Sequence, residues 1–145
     1  MSTPSPRKDR QHTNDDDAPT PAAERARVLL AEDDTALRRY LGIVLRRAGY
    51  EVIAAADGLE ALRLSLSSPV SAVVTDAVMP RLGGPELCRL LRARAGYASL
   101  PVVLLTGLEA AAHPAGDASR PDARLTKPVR ADDLLSCLAR LLGRH

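Results

Sequence analysis

The 145-residue sequence predicts an α/β fold in which a doubly wound, five-stranded parallel sheet carries helices on both faces. Short apolar or β-branched runs alternate with segments whose apolar residues recur at i, i+3, i+4 and i+7, the pattern of strands alternating with helices. In addition, the run Val102–Leu105 shows no alternation of apolar and polar residues, as expected for a strand buried on both faces. Such strands form a parallel sheet joined by right-handed crossovers.

Composition restricts the class of protein before any motif is considered. The length suits one domain, and 46% apolar with 26% charged residues is typical of a packed globule. A net charge of +2 and three tyrosines give no basis for nucleic-acid binding. No apolar run approaches the roughly 18 residues of a membrane span, and no signal core follows the N-terminal charges. We expect a cytoplasmic protein, without membrane or direct nucleic-acid contact, whose Cys88 and Cys137 are reduced core or near-core residues.

The first 26 residues differ from the rest of the chain. They contain four prolines and the acidic run Asp15–Asp17 but almost no branched or aromatic side chains, so they bury too little surface to offset the entropy of ordering. We predict a disordered tail over residues 1–26 and one folded domain over residues 27–145.

From residue 27 onward, predicted strands and helices alternate. The strands are Val28–Ala31, Tyr50–Ala55, Val70–Thr75, Pro101–Thr106 and a weaker Ala123–Thr126. The apolar stripes expected to face the core are Leu37/Leu41/Val44/Leu45, Leu59/Leu62/Leu66, Leu87/Leu90/Leu91 and Leu134/Leu135/Leu138/Leu141/Leu142. Between Leu108 and Pro121, Pro114 and Gly116 interrupt the pattern, so the fourth helix is predicted to be short or irregular.

Polar side chains stand where the apolar runs end. Glu32 and Asp33 follow the first strand, Asp76 follows the third, Thr106 ends the fourth, and Lys127 follows the fifth. In open parallel sheets, ligands bind outside the carboxyl ends of the strands. If the strand order is 2-1-3-4-5, the acidic pair lies beside Asp76 while Thr106 and Lys127 approach from the other side. We therefore expect the five side chains to converge on one point.

Three carboxylates at one point need a positive partner. A like-charged pair 4 Å apart costs about 4 kcal/mol at an effective dielectric constant of about 20. A divalent cation with oxygen ligands, for which Mg²⁺ is the best candidate, would neutralise the three charges together with Lys127, the single lysine of the predicted domain. A single acidic residue at the end of a strand has a simpler interpretation, as the N-cap of the next helix, and we expect Asp34 or Thr35 to cap the helix that contains Leu37. Helix capping does not explain why all five polar side chains stand at strand ends.

Four segments that carry these residues resemble the signature segments of response-regulator receiver domains, the chemotaxis-receiver-like superfamily. They are Val28–Asp34 (VLLAEDD), Val73–Pro80 (VVTDAVMP), Pro101–Gly107 (PVVLLTG) and Leu125–Pro128 (LTKP). The resemblance covers residues 27–142, in the family's order and with similar spacing. It implies the flavodoxin-like fold, with the strand order 2-1-3-4-5.

The resemblance implies a phosphoacceptor signalling protein that is not an enzyme, beyond its own phosphorylation and dephosphorylation. Asp76 would be the nucleophile, accepting a phosphoryl group from a phosphohistidine of a histidine kinase or phosphotransfer protein in a two-component phosphorelay. Mg²⁺ would be the cofactor, held by Asp33, Asp76 and the main-chain carbonyl of Val78, with Glu32 acting through water.

The resemblance also implies roles for the two remaining site residues. Lys127 would pair with a phosphoryl oxygen, its reach fixed by a cis peptide bond to Pro128, and the hydroxyl of Thr106 would donate to another oxygen. Metal, lysine and hydroxyl suffice for phosphoryl transfer without a separate general base. Since the last apolar stripe ends at Leu142, we expect a stand-alone receiver that signals through contacts with an unknown downstream protein.

Three features depart from the family pattern. Arg124 stands where many receivers have an aromatic residue that reports phosphorylation to the surface. Gly83–Gly84 replaces the usual Asp-Gly, and the interrupted interval 108–121 falls on the usual output face. We expect intact phosphorylation chemistry but an uncommon route of signal transmission.

Other functions are weighed against this one. A receiver-shaped interaction module that is never phosphorylated remains the alternative. An aspartate-nucleophile phosphatase commonly needs a second carboxylate two residues after the nucleophile, where this chain has Val78. A dinucleotide-binding fold is disfavoured because no GxGxxG follows the first strand, where Glu32 and Asp33 would repel a pyrophosphate.

Overall fold

The structure, a computed structural model, describes residues 25–107 and 119–143 of the chain. The predicted tail lies outside these residues apart from Arg25 and Ala26, and the predicted irregular helix lies outside them apart from residues 119–121. Ala26 is buried, and its carbonyl accepts a hydrogen bond from the amide of Glu51.

Strands and helices alternate along the described residues. In chain order they are β1 (Arg27–Ala31), α1 (Thr35–Arg47), β2 (Glu51–Ala55), α2 (Gly58–Ser67), β3 (Ala72–Asp76), α3 (Gly84–Arg92), β4 (Val102–Thr106), β5 (Ala123–Thr126) and α4 (Ala131–Leu141). Every predicted strand is present. The largest difference is at β3, which begins at Ala72 instead of Val70 and includes Asp76.

The strands form one parallel sheet in the order β2-β1-β3-β4-β5, which confirms the predicted topology. Central strands β3 and β4 are buried along their whole length, whereas edge strands β2 and β5 are partly exposed. The register pairs Ala31 with Thr75, and Asp76 with Leu105. The carboxyl ends of β1, β3 and β4 therefore lie side by side.

Apolar side chains pack in two layers, one on each face of the sheet. Leu30 enters the layer formed with α1 and α4, and Leu29 enters the layer formed with α2 and α3, because successive side chains of a strand point to opposite faces. Cys88 and Cys137 are buried in different layers, as predicted for core thiols. No helix among residues 25–107 and 119–143 is long and apolar enough to cross a membrane.

Capping residues fix where the helices near the strand ends begin. Asp34 Oδ1 accepts a 3.0 Å hydrogen bond from the amide of Leu37 and caps α1, which confirms one of the two predicted caps. Asp57 Oδ1 accepts a 2.8 Å hydrogen bond from the amide of Glu60 and caps α2. Both caps lie in the short loops that follow β1 and β2, so they also order these loops at the carboxyl edge of the sheet.

The apolar stripe predicted for α2 is wrong at two of its three positions. Leu59 and Leu66 are 39% and 68% exposed. The buried residues of α2 are instead Gly58, Ala61 and Ser65, whose small side chains let the helix approach its neighbours closely. This close packing turns Leu59 and Leu66 toward solvent, so leucine spacing alone identified the wrong face.

Candidate functional site

The predicted site residues meet at the carboxyl edge of the sheet. Asp76 is the last residue of β3, and Glu32 directly follows β1, the neighbouring strand. Thr106 ends β4 on the other side of β3, and its carbonyl accepts a 2.8 Å hydrogen bond from the amide of Lys127. Parallel pairing therefore brings residues from four separate chain segments to one place.

Glu32, Asp33 and Asp76 form an acidic cluster. Each offers one carboxylate oxygen, and these oxygens lie within 4.8 Å of one another. This spacing allows the three groups to share one cation with oxygen ligands. Glu32 is fully buried and Asp76 is 7% exposed, whereas Asp33 is exposed, so the cluster opens to solvent at Asp33.

The carboxylate of Glu32 is only partly satisfied by the protein. Its Oε2 accepts a 3.0 Å hydrogen bond from the amide of Asp34. Its Oε1 lies 3.3 Å from Lys127 Nζ, an ion-pair distance, yet it is the one buried side-chain polar atom in the described part of the chain without a hydrogen-bond partner. Burial raises the pKa of Glu32 to about 7, against the opposing effect of the Asp34 amide. A bound cation and the water molecules around it would supply the hydrogen-bond partner that this buried oxygen lacks, so the residues present fit a divalent metal.

Lys127 links the two buried carboxylates. Its Nζ donates a 2.9 Å hydrogen bond to Asp76 Oδ2 and lies 3.3 Å from Glu32 Oε1. Burial lowers the pKa of the ammonium group, but the hydrogen bond to Asp76 and the charges of both carboxylates outweigh this effect, and the net direction is upward. The Lys127–Pro128 peptide bond is cis, as the resemblance implies. Lys127 therefore stands as a fixed positive charge beside Asp76.

Thr106 and Val78 complete the set of predicted site residues. Thr106 is 7% exposed and follows Leu105, the register partner of Asp76, so it stands one step beyond Asp76 at the same edge. Val78 lies in the loop between β3 and α3, with its side chain 65% exposed. An exposed apolar side chain is compatible with a role carried by the main-chain carbonyl.

Two supporting contacts escaped the sequence analysis. Arg38 Nη1 donates a 2.8 Å hydrogen bond to the main-chain carbonyl of Glu32 and so ties α1 to the acidic loop. The hydroxyl of Thr75 donates a 3.0 Å hydrogen bond to the main-chain carbonyl of Asp76. Neither contact belongs to a recognisable sequence motif. Arg38 lies one turn into the helix that follows the acidic pair, and this position could have suggested its contact with Glu32.

A doubly wound sheet whose carboxyl edge joins an acidic cluster to a partly buried lysine defines a phosphoacceptor domain of the receiver class. Residues 28–139 match the response regulator receiver domain, and the chain belongs to this family. Receiver domains of response regulators bind Mg²⁺ at an acidic site and interact with histidine kinases or phosphotransfer proteins.

Individual relatives agree with this assignment. The chain is 40% identical over 119 residues to the response regulator MprA of Mycobacterium sp. strain KMS. This alignment covers 81% of the chain and 51% of MprA. It is 38% identical over 117 residues to the response regulator receiver protein CpdR of Brucella abortus, covering 80% of the chain and 96% of that protein. The chain thus spans about half the length of MprA but nearly all of CpdR.

Solved structures show the same architecture. The chemotaxis protein CheY4 of Vibrio cholerae superposes with a TM-score of 0.73 at 31% identity, covering 81% of this chain and 99% of that one. The receiver domain of the sensor histidine kinase PA1611 of Pseudomonas aeruginosa, solved with a magnesium ion coordinated in its active-site cleft, gives a TM-score of 0.72 at 28% identity, covering 82% of this chain and 98% of that one.

Proposed function

We propose that this chain is a stand-alone response-regulator receiver that accepts a phosphoryl group on Asp76. The donor is a phosphohistidine on a histidine kinase or phosphotransfer protein of a two-component phosphorelay, and the output is contact with a downstream protein. The observation that carries the proposal is the approach of Lys127 Nζ to 2.9 Å from Asp76 Oδ2 inside an acidic cluster that fits a divalent cation.

In the proposed reaction, a carboxylate oxygen of Asp76 attacks the phosphorus atom in line with the bond to the donor imidazole. The P–N bond breaks, its electron pair goes to the imidazole nitrogen, which takes up a proton from solvent, and an aspartyl phosphate forms. Lys127 already engages one oxygen of Asp76, so its ammonium group is placed to pair with the incoming phosphoryl oxygens. The hydroxyl of Thr106 donates to another of these oxygens.

The acidic cluster would bind the divalent cation that the reaction requires in addition to Lys127. Asp33, Asp76 and the main-chain carbonyl of Val78 would hold Mg²⁺, with Glu32 acting through water. Bound there, Mg²⁺ supplies positive charge that offsets both the carboxylates and the negative phosphoryl group. Since little covalent chemistry falls to the protein in phosphoryl transfer, charge and position are what these residues contribute.

Labelled acetyl phosphate and Mg²⁺ test the proposal directly. The natural protein should incorporate one phosphoryl group, whereas Asp76→Asn should incorporate none. Asp34→Asn is the matched control, because it removes an exposed carboxylate from the same region while an asparagine still caps α1. Equal labelling of the natural protein and Asp76→Asn would refute the phosphoacceptor assignment.

The same preparation separates the alternatives. Failure to label with acetyl phosphate and with a panel of phosphorylated kinases would favour an interaction module that is never phosphorylated. Sustained release of phosphate from p-nitrophenyl phosphate would favour a phosphatase, although Val78 occupies the position where such enzymes commonly place their acid.

A further inference from the structure

The loop between β3 and α3 contains an unusual backbone conformation close to Asp76. The amide of Leu82 donates a 2.8 Å hydrogen bond to the carbonyl of Pro80, which closes a three-residue γ-turn centred on Arg81. Arg81 has φ = 72°, the single non-glycine residue with a positive φ in the described ranges 25–107 and 119–143. A side chain in this region is disfavoured, so other contacts must hold the turn.

The contact that holds the turn is an ion pair with the neighbouring loop. Arg81 Nη2 lies 3.1 Å from Asp57 Oδ2, while Asp57 Oδ1 caps α2 through the amide of Glu60. The Glu60 amide and the guanidinium of Arg81 both lower the pKa of Asp57, so its carboxylate stays charged over the ordinary pH range. One carboxylate therefore anchors both the start of α2 and the γ-turn.

The two loops are also in direct steric contact. A Cβ atom added at Gly58, the residue after Asp57, would lie 2.2 Å from the carbonyl oxygen of Leu82, the residue after Arg81. A separation this short leaves room only for glycine. The Arg81–Asp57 ion pair therefore joins two loops whose backbones are already in contact at Gly58 and Leu82.

The inner end of the same loop rests on the phosphoacceptor strand. The amide of Gly84 donates a 3.0 Å hydrogen bond to the carbonyl of Ala77, and a Cβ at Gly84 would lie 2.5 Å from the carbonyl oxygen of Asp76. Met79 is buried in the core layer formed with α2 and α3. Val78 therefore lies on a segment fixed at Asp76 on one side and at α2 on the other.

We infer that Arg81 is a positioning residue of the metal site: its ion pair with Asp57 holds the γ-turn and thereby the Val78 carbonyl in the place where a cation would meet it. The inference rests on the proposed function, since it assigns Arg81 a role in the same site. The guanidinium is a cation without an acceptor atom and cannot be a metal ligand, so it acts through the backbone. Because the Arg81 side chain is 56% exposed, its loss should weaken Mg²⁺ binding only about two- to fivefold.

The variant Arg81→Gly distinguishes an effect on the position of the Val78 carbonyl from an effect on the stability of the fold. Glycine tolerates a positive φ, so the unfolding temperature in EDTA should stay unchanged or rise slightly, while the Mg²⁺ concentration at half-maximal thermal stabilisation should rise about two- to fivefold. Arg89→Ala is the matched control, because it breaks a comparably exposed pair with Glu86 on α3. Arg89→Ala should leave the Mg²⁺ midpoint unchanged.

Asp57→Asn tests the other partner and guards against misfolding of the glycine variant. Asparagine still caps α2 but cannot form the ion pair, so the Mg²⁺ midpoint should shift as in Arg81→Gly, and the double variant should shift no further. Arg81→Lys should restore part of the loss. In metal-free protein, amide exchange at Leu82 and Gly84 should be faster in both single variants than in the natural protein.

Each outcome decides the matter. A Mg²⁺ midpoint unchanged in Arg81→Gly and Asp57→Asn would overturn the inference while leaving the proposed function intact, as would an equal shift in Arg89→Ala. A natural protein that shows no Mg²⁺-dependent stabilisation at all would overturn the proposed metal site and this inference together.

Discussion

The buried carboxyl group of Glu32 should make the stability of the metal-free protein fall as the pH rises. Its pKa is raised from 4.5 to about 7 in the folded state, mainly by burial. Between these two values the folded protein binds a proton that the unfolded chain has released, so the free energy of unfolding decreases with increasing pH. This direction is opposite to that of a carboxylate whose pKa is lowered by an ion pair. Above about pH 7 both states are deprotonated and the effect is complete.

The size of the effect follows from the shift. One pKa unit corresponds to about 1.4 kcal/mol, so the change from 4.5 to about 7 corresponds to a loss on the order of 3 kcal/mol. Glu32→Gln removes this loss while keeping an oxygen to accept the hydrogen bond from the Asp34 amide. For a domain of this size, the variant should unfold roughly 10 °C higher than the natural protein in EDTA at about pH 7.5.

Thermal unfolding followed by circular dichroism between about pH 5 and about pH 8, in EDTA, measures this difference. The gap between Glu32→Gln and the natural protein should widen as the pH rises, and Mg²⁺ should narrow it by stabilising the natural protein more than the variant. Asp34→Asn, which removes an exposed carboxylate and keeps the cap, should show no widening gap. A gap that stays constant with pH would refute the reasoning from the buried charge.

Three further perturbations have defined outcomes. Asp33→Ala should lose far more of the Mg²⁺-dependent rise in unfolding temperature than Asp34→Ala. A larger loss in Asp34→Ala, measured by thermal unfolding at increasing Mg²⁺ concentration, would mean that Asp34 and not Asp33 is the metal ligand. Gly58→Ala should lower stability by about 1–3 kcal/mol in urea unfolding, because the new methyl group meets the Leu82 carbonyl oxygen at 2.2 Å; an unchanged midpoint would mean that the two loops separate freely. Lys127→Arg should fold yet accept phosphoryl groups at least about tenfold more slowly from acetyl phosphate, since a planar guanidinium does not replace a compact ammonium group, and an unchanged rate would contradict this.

The sheet could be predicted because parallel strands that are buried on both faces consist of continuous runs of apolar residues. Val102–Leu105 is continuously apolar, and in the structure β4 is buried throughout. The site could be predicted for the same reason, because its residues stand at the ends of such runs. Asp76 and Lys127 are 51 residues apart in the chain. Strand order places them at the same edge of the sheet, one on each side of β4, and the long lysine side chain brings Nζ to 2.9 Å from Asp76 Oδ2.

What the sequence did not reveal depends on side-chain reach and on close packing. The exposed Leu59 and Leu66 follow from the small residues that α2 turns toward the sheet, and spacing of leucines carries no information about that choice. The ion pair of Arg81 with Asp57 needs a positive φ at a non-glycine residue, which no local propensity favours. The lack of a hydrogen bond to Glu32 Oε1 likewise depends on where the surrounding donor groups lie, which the sequence does not specify.

The central claim is that Asp76 carries the phosphoryl group at a site organised by Lys127 and the acidic cluster. Peptide mapping by mass spectrometry after incubation with acetyl phosphate and Mg²⁺ tests it most directly. The prediction is one phosphoryl adduct on the peptide containing Asp76, absent when EDTA replaces Mg²⁺ and absent in Asp76→Asn. An adduct on any other residue, or one that forms equally in Asp76→Asn, would contradict the account.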